Sequence, residues 1–253
     1  IFSEVYLIRA PNLRVMKMLT AHADWVKRTL PSPLYKLGAQ LYVDKQFPRH
    51  LFLETTASCN LVCNYCPRER RSEHMDYNLF RQIIDEATLY GARSFSLHLF
   101  GEPTLYPLWR DAVAYIKRAN RRHTVLLTTN GTTLNARVDD LVSSGVDLVL
   151  WTWRPEAVFT AETREKLRRW GKFRVRFISE ITPKEAYAEW AEWPNVEGRA
   201  LHNYGGTIDT SKYNEDGRVG PTSAKTVVRW PCYHLWLAPA VAWNGNILLC
   251  CAD

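Results

Sequence analysis

No stretch of this sequence approaches the ~20 consecutive apolar residues that a membrane-crossing helix requires, so no helical span is expected. No secretory signal opens the chain, which starts at Ile1 without a methionine, as a trimmed N-terminus would. Cysteines are few. The six fall in groups of three, one and two. That is not the even spacing of a disulfide-stapled extracellular domain, and it points to a reducing, cytoplasmic setting. Charge of one sign is not concentrated either. The formal net charge is +7, but the lysines and arginines are scattered over segments with helical periodicity. They read as solvated helix faces rather than as a stripe for nucleic acid, so nucleic acid is not the expected partner. What remains is a globular composition, with 46% hydrophobic and 23% charged residues in 253. This length can bury one large core or two modest ones.

Residues 1–50 carry the weakest pattern. Asn12 to Leu30 suggests a helix stopped by Pro31 and Pro33, and the segment is expected to be mostly helical. From Leu51 strand and helix alternate with short punctuation, the pattern of parallel βα units. The predicted strands lie near 51–56, 93–100, 125–129, 146–153 and 173–180, with a sixth at 195–201. Helices between them are marked by Asp76 as an N-cap, Pro107 and Pro183 at first turns, and Gly91, Gly145 and Gly171 as stops. Five or six such units are too few for a closed eight-fold barrel. They suit an open, partial (β/α)6 barrel, an α/β fold whose post-strand loops gather on one rim.

The first of those loops is Cys59-Asn60-Leu61-Val62-Cys63-Asn64-Tyr65-Cys66, directly after the run Leu51–Thr56. Thiolates are soft ligands that select zinc, cuprous copper or iron–sulfur clusters. Closed zinc sites and all-cysteine clusters both take four ligands, and no fourth cysteine is nearby. Two readings follow: a cluster with one iron open to another ligand, or a zinc site completed by a distant His or Cys.

Strand alternation adds a cavity. Phe95, Leu97 and Leu99 alternate with Ser94, Ser96 and His98, and Phe173, Val175 and Phe177 with Arg174 and Arg176. If the apolar sets pack on helices, then Glu54, Ser96, His98, Thr128, Arg174, Arg176 and Glu180 face the lumen. A polar lumen fits a wet cavity with a polar ligand, or an internally paired Glu–Arg network. The turn Gly101-Glu102-Pro103 follows strand two, where a glycine allows close approach to a ligand. Thr128-Thr129-Asn130-Gly131 follows strand three and holds an ordinary Asn-Gly turn signal. Strand four ends in Trp151-Thr152-Trp153-Arg154, two tryptophans that suit either core or a substrate wall. Near the C-terminus, Cys232 precedes Trp243-Asn244-Gly245-Asn246, read as a hairpin turn between apolar segments, and then Cys250 and Cys251.

The three-cysteine loop, its Glu54-Thr55-Thr56 lead-in and the aromatic Tyr65 before the last cysteine resemble the signature of the radical S-adenosylmethionine (radical SAM) superfamily. The resemblance implies that Cys59, Cys63 and Cys66 hold a [4Fe–4S] cluster whose fourth iron takes the amino and carboxyl groups of SAM. Gly101, Glu102 and Pro103 stand where that family has Gly-Gly-Glu, the motif that meets the SAM amino group, although Phe100 replaces the first glycine. Thr128 and Asn130 match its Thr-Asn-Gly turn. Ser179 and Glu180 fall where relatives often place polar residues on the cofactor's ribose, and strand four lacks their Ser-x-Asp. The spacing from Cys232 to Gly245 and Cys250 resembles the opening of a SPASM or Twitch extension. That implies that Cys232 and Cys250 begin an auxiliary [4Fe–4S] site, with a buried structural cysteine pair as the alternative. Cys251 is expected to pack as a small hydrophobe.

The organisation so implied is an N-terminal segment over 1–50, a radical SAM partial barrel over 51–201 and a SPASM/Twitch-like extension over 202–253. The implied chemistry is reductive cleavage of SAM to a 5′-deoxyadenosyl radical and hydrogen abstraction from a substrate C–H bond. A flavodoxin- or ferredoxin-type electron donor is implied with it. Oxidative modification of a peptide is the leading reading. A dehydrogenase of a sugar or aminocyclitol and a non-enzymatic metal-binding scaffold are the others.

Overall fold

A computed structural model describes residues 47–67, 71–178, 181–199 and 238–248. The expectations for residues 1–46, for Ser179 and Glu180, and for Cys232, Cys250 and Cys251 lie outside the described residues.

Six parallel strands follow chain order across one sheet: β1 (His50–Leu53), β2 (Ser94–Ser96), β3 (Thr124–Thr129), β4 (Leu148–Thr152), β5 (Phe173–Ile178) and β6 (Val196–Arg199). Between them run α1 (Tyr77–Leu89), a 3-10 turn at Pro103–Leu105, α2 (Trp109–Ala119), α3 (Leu134–Ser143), α4 (Ala161–Trp170) and α5 (Lys184–Glu189). The sheet is open α/β, a partial barrel. Parallel neighbours need a crossover, and one helix per gap supplies it while leaving every strand's C-terminal end on the same rim.

Local chemistry explains the boundaries. Asp76 Oδ1 accepts the N–H groups of Asn78 and Leu79 at 2.9 Å, starting α1. Phe80, Ile84 and Ala87 recur at helical spacing and are buried against the sheet. Thr160 caps α4 through the N–H of Thr163, and Gly171 ends it with φ 72°, where a side chain would be strained. Pro183 precedes α5 as its cap residue, one position earlier than the first-turn placement read from sequence.

Alternation along the strands decides the two faces. Leu51, Phe95 and Val125 share a register row, as do Val149 and Phe173, and all are buried under the helices. The residues between them lie on the opposite face: His50 with Ser94, Phe52 with Ser96 and Leu126, Thr128 with Leu150 and Arg174, Thr152 with Arg176 and Glu197. That face is amphipathic rather than charged throughout, since Leu126, Leu148 and Leu150 interrupt its polar residues. Arg176 Nε sits 2.5 Å from Glu197 Oε1, so part of the expected lumen charge is paired internally. Ser96 Oγ lies 3.0 Å from His50 Nε2, and His98 meets the Phe52 ring edge-on at 5.5 Å. Arg174 is exposed.

The hairpin read near the C-terminus forms as β7 (Ala240–Val241) and β8 (Ile247–Leu248), turning at Gly245. It continues the main sheet instead of standing apart. β7 pairs in parallel with β1, Phe52 with Ala240 and Leu53 with Val241. The N–H groups of Phe52 and Glu54 donate to the carbonyls of Pro239 and Val241, both at 2.9 Å. β1 is thereby flanked on both sides, and the loop it carries begins from a fixed strand.

Candidate active site

Three turns meet at the C-terminal rim of β1, β2 and β3. The cysteine loop leaves β1 through Glu54-Thr55-Thr56, all buried. The exit is clamped against the segment before α1. Met75 N–H donates to Thr55 O at 2.9 Å, Ala57 N–H to Glu73 O at 3.0 Å, and Thr56 Oγ1 lies 2.8 Å from His74 Nδ1. Ser58 N–H then donates to Thr56 Oγ1 at 2.9 Å, turning the chain toward Cys59. Farther along, Cys66 N–H closes on Cys63 O at 3.2 Å. None of Cys59, Cys63 and Cys66 is in a disulfide, and each is half-buried.

The second turn is pressed onto the first. A Cβ on Gly101 would fall 1.8 Å from the carbonyl oxygen of Thr56, and Glu102 N–H donates to Ser58 O at 2.8 Å. Sequence reasoning assigned this glycine to close approach of a ligand. The neighbour it admits is the backbone of the cysteine loop.

Glu102 is 2% exposed, and its carboxylate is engaged by the protein. Oε1 accepts Thr104 N–H at 3.2 Å, the Thr104 hydroxyl at 2.6 Å and the Thr129 hydroxyl at 2.8 Å. Oε2 accepts Asn130 N–H at 2.7 Å. Burial pushes the carboxyl above the usual carboxylate range, against the pull of those same hydrogen bonds. Pro103, at the first position of the 3-10 turn, is buried. The Glu102 carboxylate thus holds Thr104, Thr129 and Asn130 together, a role the motif alone did not announce.

The third turn packs on β4. Gly131 has φ 84°, and a Cβ there would lie 2.4 Å from Trp151 Nε1, which instead donates to Asn130 O at 3.0 Å. Trp151 is fully buried among Phe159, Phe173 and Trp190, so it is core. Trp153 is half-buried. Asn130 reaches back to the first turn, its Nδ2 lying 3.0 Å from Asn60 Oδ1 and 3.8 Å from Cys59 Sγ. Asn60 in turn donates to Thr132 Oγ1 at 2.7 Å. Thr128, one residue before this turn proper, is half-buried on the opposite face of the sheet.

Tyr65 faces the end of β4. The Arg154 guanidinium lies 5.1 Å from its ring centroid, held by a 2.7 Å bond to Trp153 O. Burial pushes the Tyr65 hydroxyl well above the ordinary phenol range, with Arg154 pulling the other way. Sequence reasoning missed Arg154 and Asn60. A lone arginine after a strand and an asparagine inside a cysteine loop give no periodic or motif signal.

Residues 53–152 match the Radical SAM superfamily. Over that segment the chain is similar to the radical SAM superfamily. The match runs from the last residue of β1 through β4 and therefore covers all three turns. Among curated proteins, the tungsten-containing aldehyde ferredoxin oxidoreductase cofactor-modifying protein of Pyrococcus furiosus is 31% identical over 167 residues, 57% of this chain and 46% of that protein. The GTP 3′,8-cyclase of Chlorobaculum tepidum is 31% identical over 114 residues, 43% of this chain and 34% of that protein. The chain thus spans less than half the length of these relatives. Among solved structures, BtrN in complex with AdoMet and 2-DOIA matches with a TM-score of 0.58 at 20% identity, over 82% of this chain and 75% of that one. Streptococcus suis SuiB bound to the precursor peptide SuiA matches with a TM-score of 0.60 at 16% identity, over 100% and 68%. At these identities the likeness is one of fold.

The residues of the matched segment fit the cofactors the family implies, a [4Fe–4S] cluster and SAM. Three thiols on one loop, none in a disulfide, are the soft donor set of an iron–sulfur cluster with one iron left open. Among the described residues no three His, Cys, Asp or Glu side chains close on a point as the ligands of a single ion do. A cluster needs no such point, because each thiolate binds its own iron.

Proposed function

We propose that this chain is a radical SAM enzyme that cleaves SAM reductively and oxidatively modifies a peptide. The observation that carries the first part is the meeting of the cysteine loop with the Gly101–Pro103 and Thr129–Gly131 turns, tied through Glu102 and Asn130. When bound, the cluster and SAM supply a 5′-deoxyadenosyl radical able to take hydrogen from an unactivated C–H bond. The protein's part is to hold and orient. Cys59, Cys63 and Cys66 would ligate the cluster, and the clamp from Thr55 and Ala57 to the 73–75 segment fixes where the loop starts. Gly101 lets the second turn lie against the first, so the backbone around Glu102 would help to hold the cofactor beside the cysteine loop. Tyr65 and Arg154 would border the cofactor from the β4 side, and Ser179 and Glu180 would complete its site from β5. A flavodoxin- or ferredoxin-type protein would deliver the electron.

The support for the peptide reading is SuiB, which shares the fold with a precursor peptide bound. Fold alone does not fix a substrate. The dehydrogenase reading has the fold likeness to BtrN, solved with 2-DOIA, behind it. An auxiliary cluster begun by Cys232 and Cys250 belongs to the same proposal, since transfer of an electron out of the substrate makes the net reaction an oxidation.

Anaerobic reconstitution tests the central claim. The wild-type chain should become brown and form 5′-deoxyadenosine from SAM under dithionite, and alanine at Cys59, Cys63 and Cys66 should abolish 5′-deoxyadenosine formation. A triple variant that still makes 5′-deoxyadenosine would overturn the assignment.

A further inference from the structure

The side chain of Asn130 is fixed in direction. Its Oδ1 accepts the N–H of Thr132 at 3.0 Å and the Thr132 hydroxyl at 2.7 Å. A backbone N–H can only donate, so the oxygen must face Thr132 and the amide nitrogen must face the cysteine loop. The main chain of the same residue is held on both sides, its N–H by Glu102 Oε2 at 2.7 Å and its carbonyl by Trp151 Nε1 at 3.0 Å. The amide nitrogen has two protons, and two acceptors lie before it: Asn60 Oδ1 at 3.0 Å and Cys59 Sγ at 3.8 Å.

From this geometry we propose that Asn130 is a positioning residue that donates an N–H to the Cys59 sulfur and thereby raises the reduction potential of the cluster. The inference rests on the radical SAM reading above. Reduction adds negative charge to the cluster, part of which falls on the thiolate sulfurs. A donor aimed at one sulfur stabilises the reduced form more than the oxidised one, and hydrogen bonds to the sulfurs are among the factors that set cluster potentials. The contact is long, even for sulfur. Its two anchors decide its effect, because an amide locked by Thr132 and Glu102 cannot turn away and satisfy itself elsewhere.

A purely mechanical role makes a different prediction. The Asn60–Asn130 bond also ties the cysteine loop to the β3 turn, and cutting it from either end should then have the same effect. Donation to sulfur separates the two ends: Asn130→Ala removes the donor, whereas Asn60→Ala removes the competing acceptor and the Asn60 bond to Thr132 Oγ1 but leaves the donor to Cys59 in place. Asn130→Asp is the second donor-loss variant. It keeps the oxygen that Thr132 needs, and so the turn, but presents no N–H to Cys59.

The experiment is potentiometric titration of the reconstituted full chain without SAM, following the reduced cluster by electron paramagnetic resonance, with iron content measured on each sample. Asn130→Ala and Asn130→Asp should lower the midpoint potential, making the cluster roughly tenfold harder to reduce at a fixed potential, about 59 mV for one electron. Asn60→Ala should leave it unchanged. Unaltered potentials in both Asn130 variants, or an equal shift in Asn60→Ala, would overturn the proposal. A wild-type chain that assembles no cluster would instead sink the functional reading, so the two failures are distinguishable.

Discussion

Glu102 Oε2 accepts the backbone N–H of Asn130 at 2.7 Å, while Oε1 of the same buried carboxylate accepts from Thr104 and Thr129. One side chain thus joins the end of β2 to the end of β3, and the backbone N–H of Glu102 donates to the Ser58 carbonyl in the cysteine loop at 2.8 Å.

Glu102→Gln should therefore destabilise the protein in spite of its near-identical shape. Whichever way the amide is turned, its NH2 group faces a backbone donor, Asn130 N–H on one side or Thr104 N–H on the other. A buried donor left unmatched costs about 1–3 kcal/mol. Urea denaturation of the apoprotein should show a midpoint lowered to match. A midpoint equal to wild type would mean that the three turns are not held through this carboxylate.

The same group carries a pH signature. Burial raises its folded-state pKa above the ordinary glutamate value, so between those two values the folded chain binds the proton more tightly than the unfolded one. This contribution is fully present below the unfolded value and is lost as pH rises through the folded one. Proton uptake coupled to folding should appear in that window for wild type and be smaller in Glu102→Gln. Equal pH dependence in the two proteins would refute the assignment.

Gly101→Ala should be far more damaging than Gly198→Ala. The added methyl would meet Thr56 O at 1.8 Å in the first case and nothing within 4 Å in the second. Overpacking against backbone costs about 1–3 kcal/mol or more, because no rotamer change relieves it. Melting temperature and iron loading should both fall for Gly101→Ala and hold for Gly198→Ala. If the two glycines tolerate alanine alike, the two turns are not in contact as described.

Cys232→Ala tests the auxiliary site. Two four-iron clusters would give about eight irons per wild-type chain, and the variant should keep about half while still cleaving SAM. An iron content near four in both proteins would make Cys232 and Cys250 structural.

Most of the scaffold was legible because it rests on local chemistry. Asp76 and Gly171 announce helix ends, and the alternation of Phe173, Val175 and Phe177 with arginines announces a strand with one buried face. The positions of the three turns were legible from their motifs. What each residue touches was not. Gly101 abuts Thr56 and Glu102 binds Asn130 across 28 residues, and such pairings depend on how the strands stack rather than on any spacing in the chain. The place of the hairpin was hidden for the same reason. Its turn residues declare β7 and β8, while nothing local to Ala240 declares that its partner is Phe52.

That last pairing bears on the order in which the molecule is made. During synthesis β1 emerges early and finds β2 within about one βα unit, but its other edge waits for residues some 190 positions later. Until then the N–H groups of Phe52 and Glu54 have no sheet partner, and the strand that carries the cysteine loop remains an open edge. Contacts of such long sequence separation form late and slow the approach to the native state. Closing of that edge is therefore expected late in folding. A ribosome-bound chain lacking residues 239–248 would carry its cysteine loop on a strand paired along one edge only.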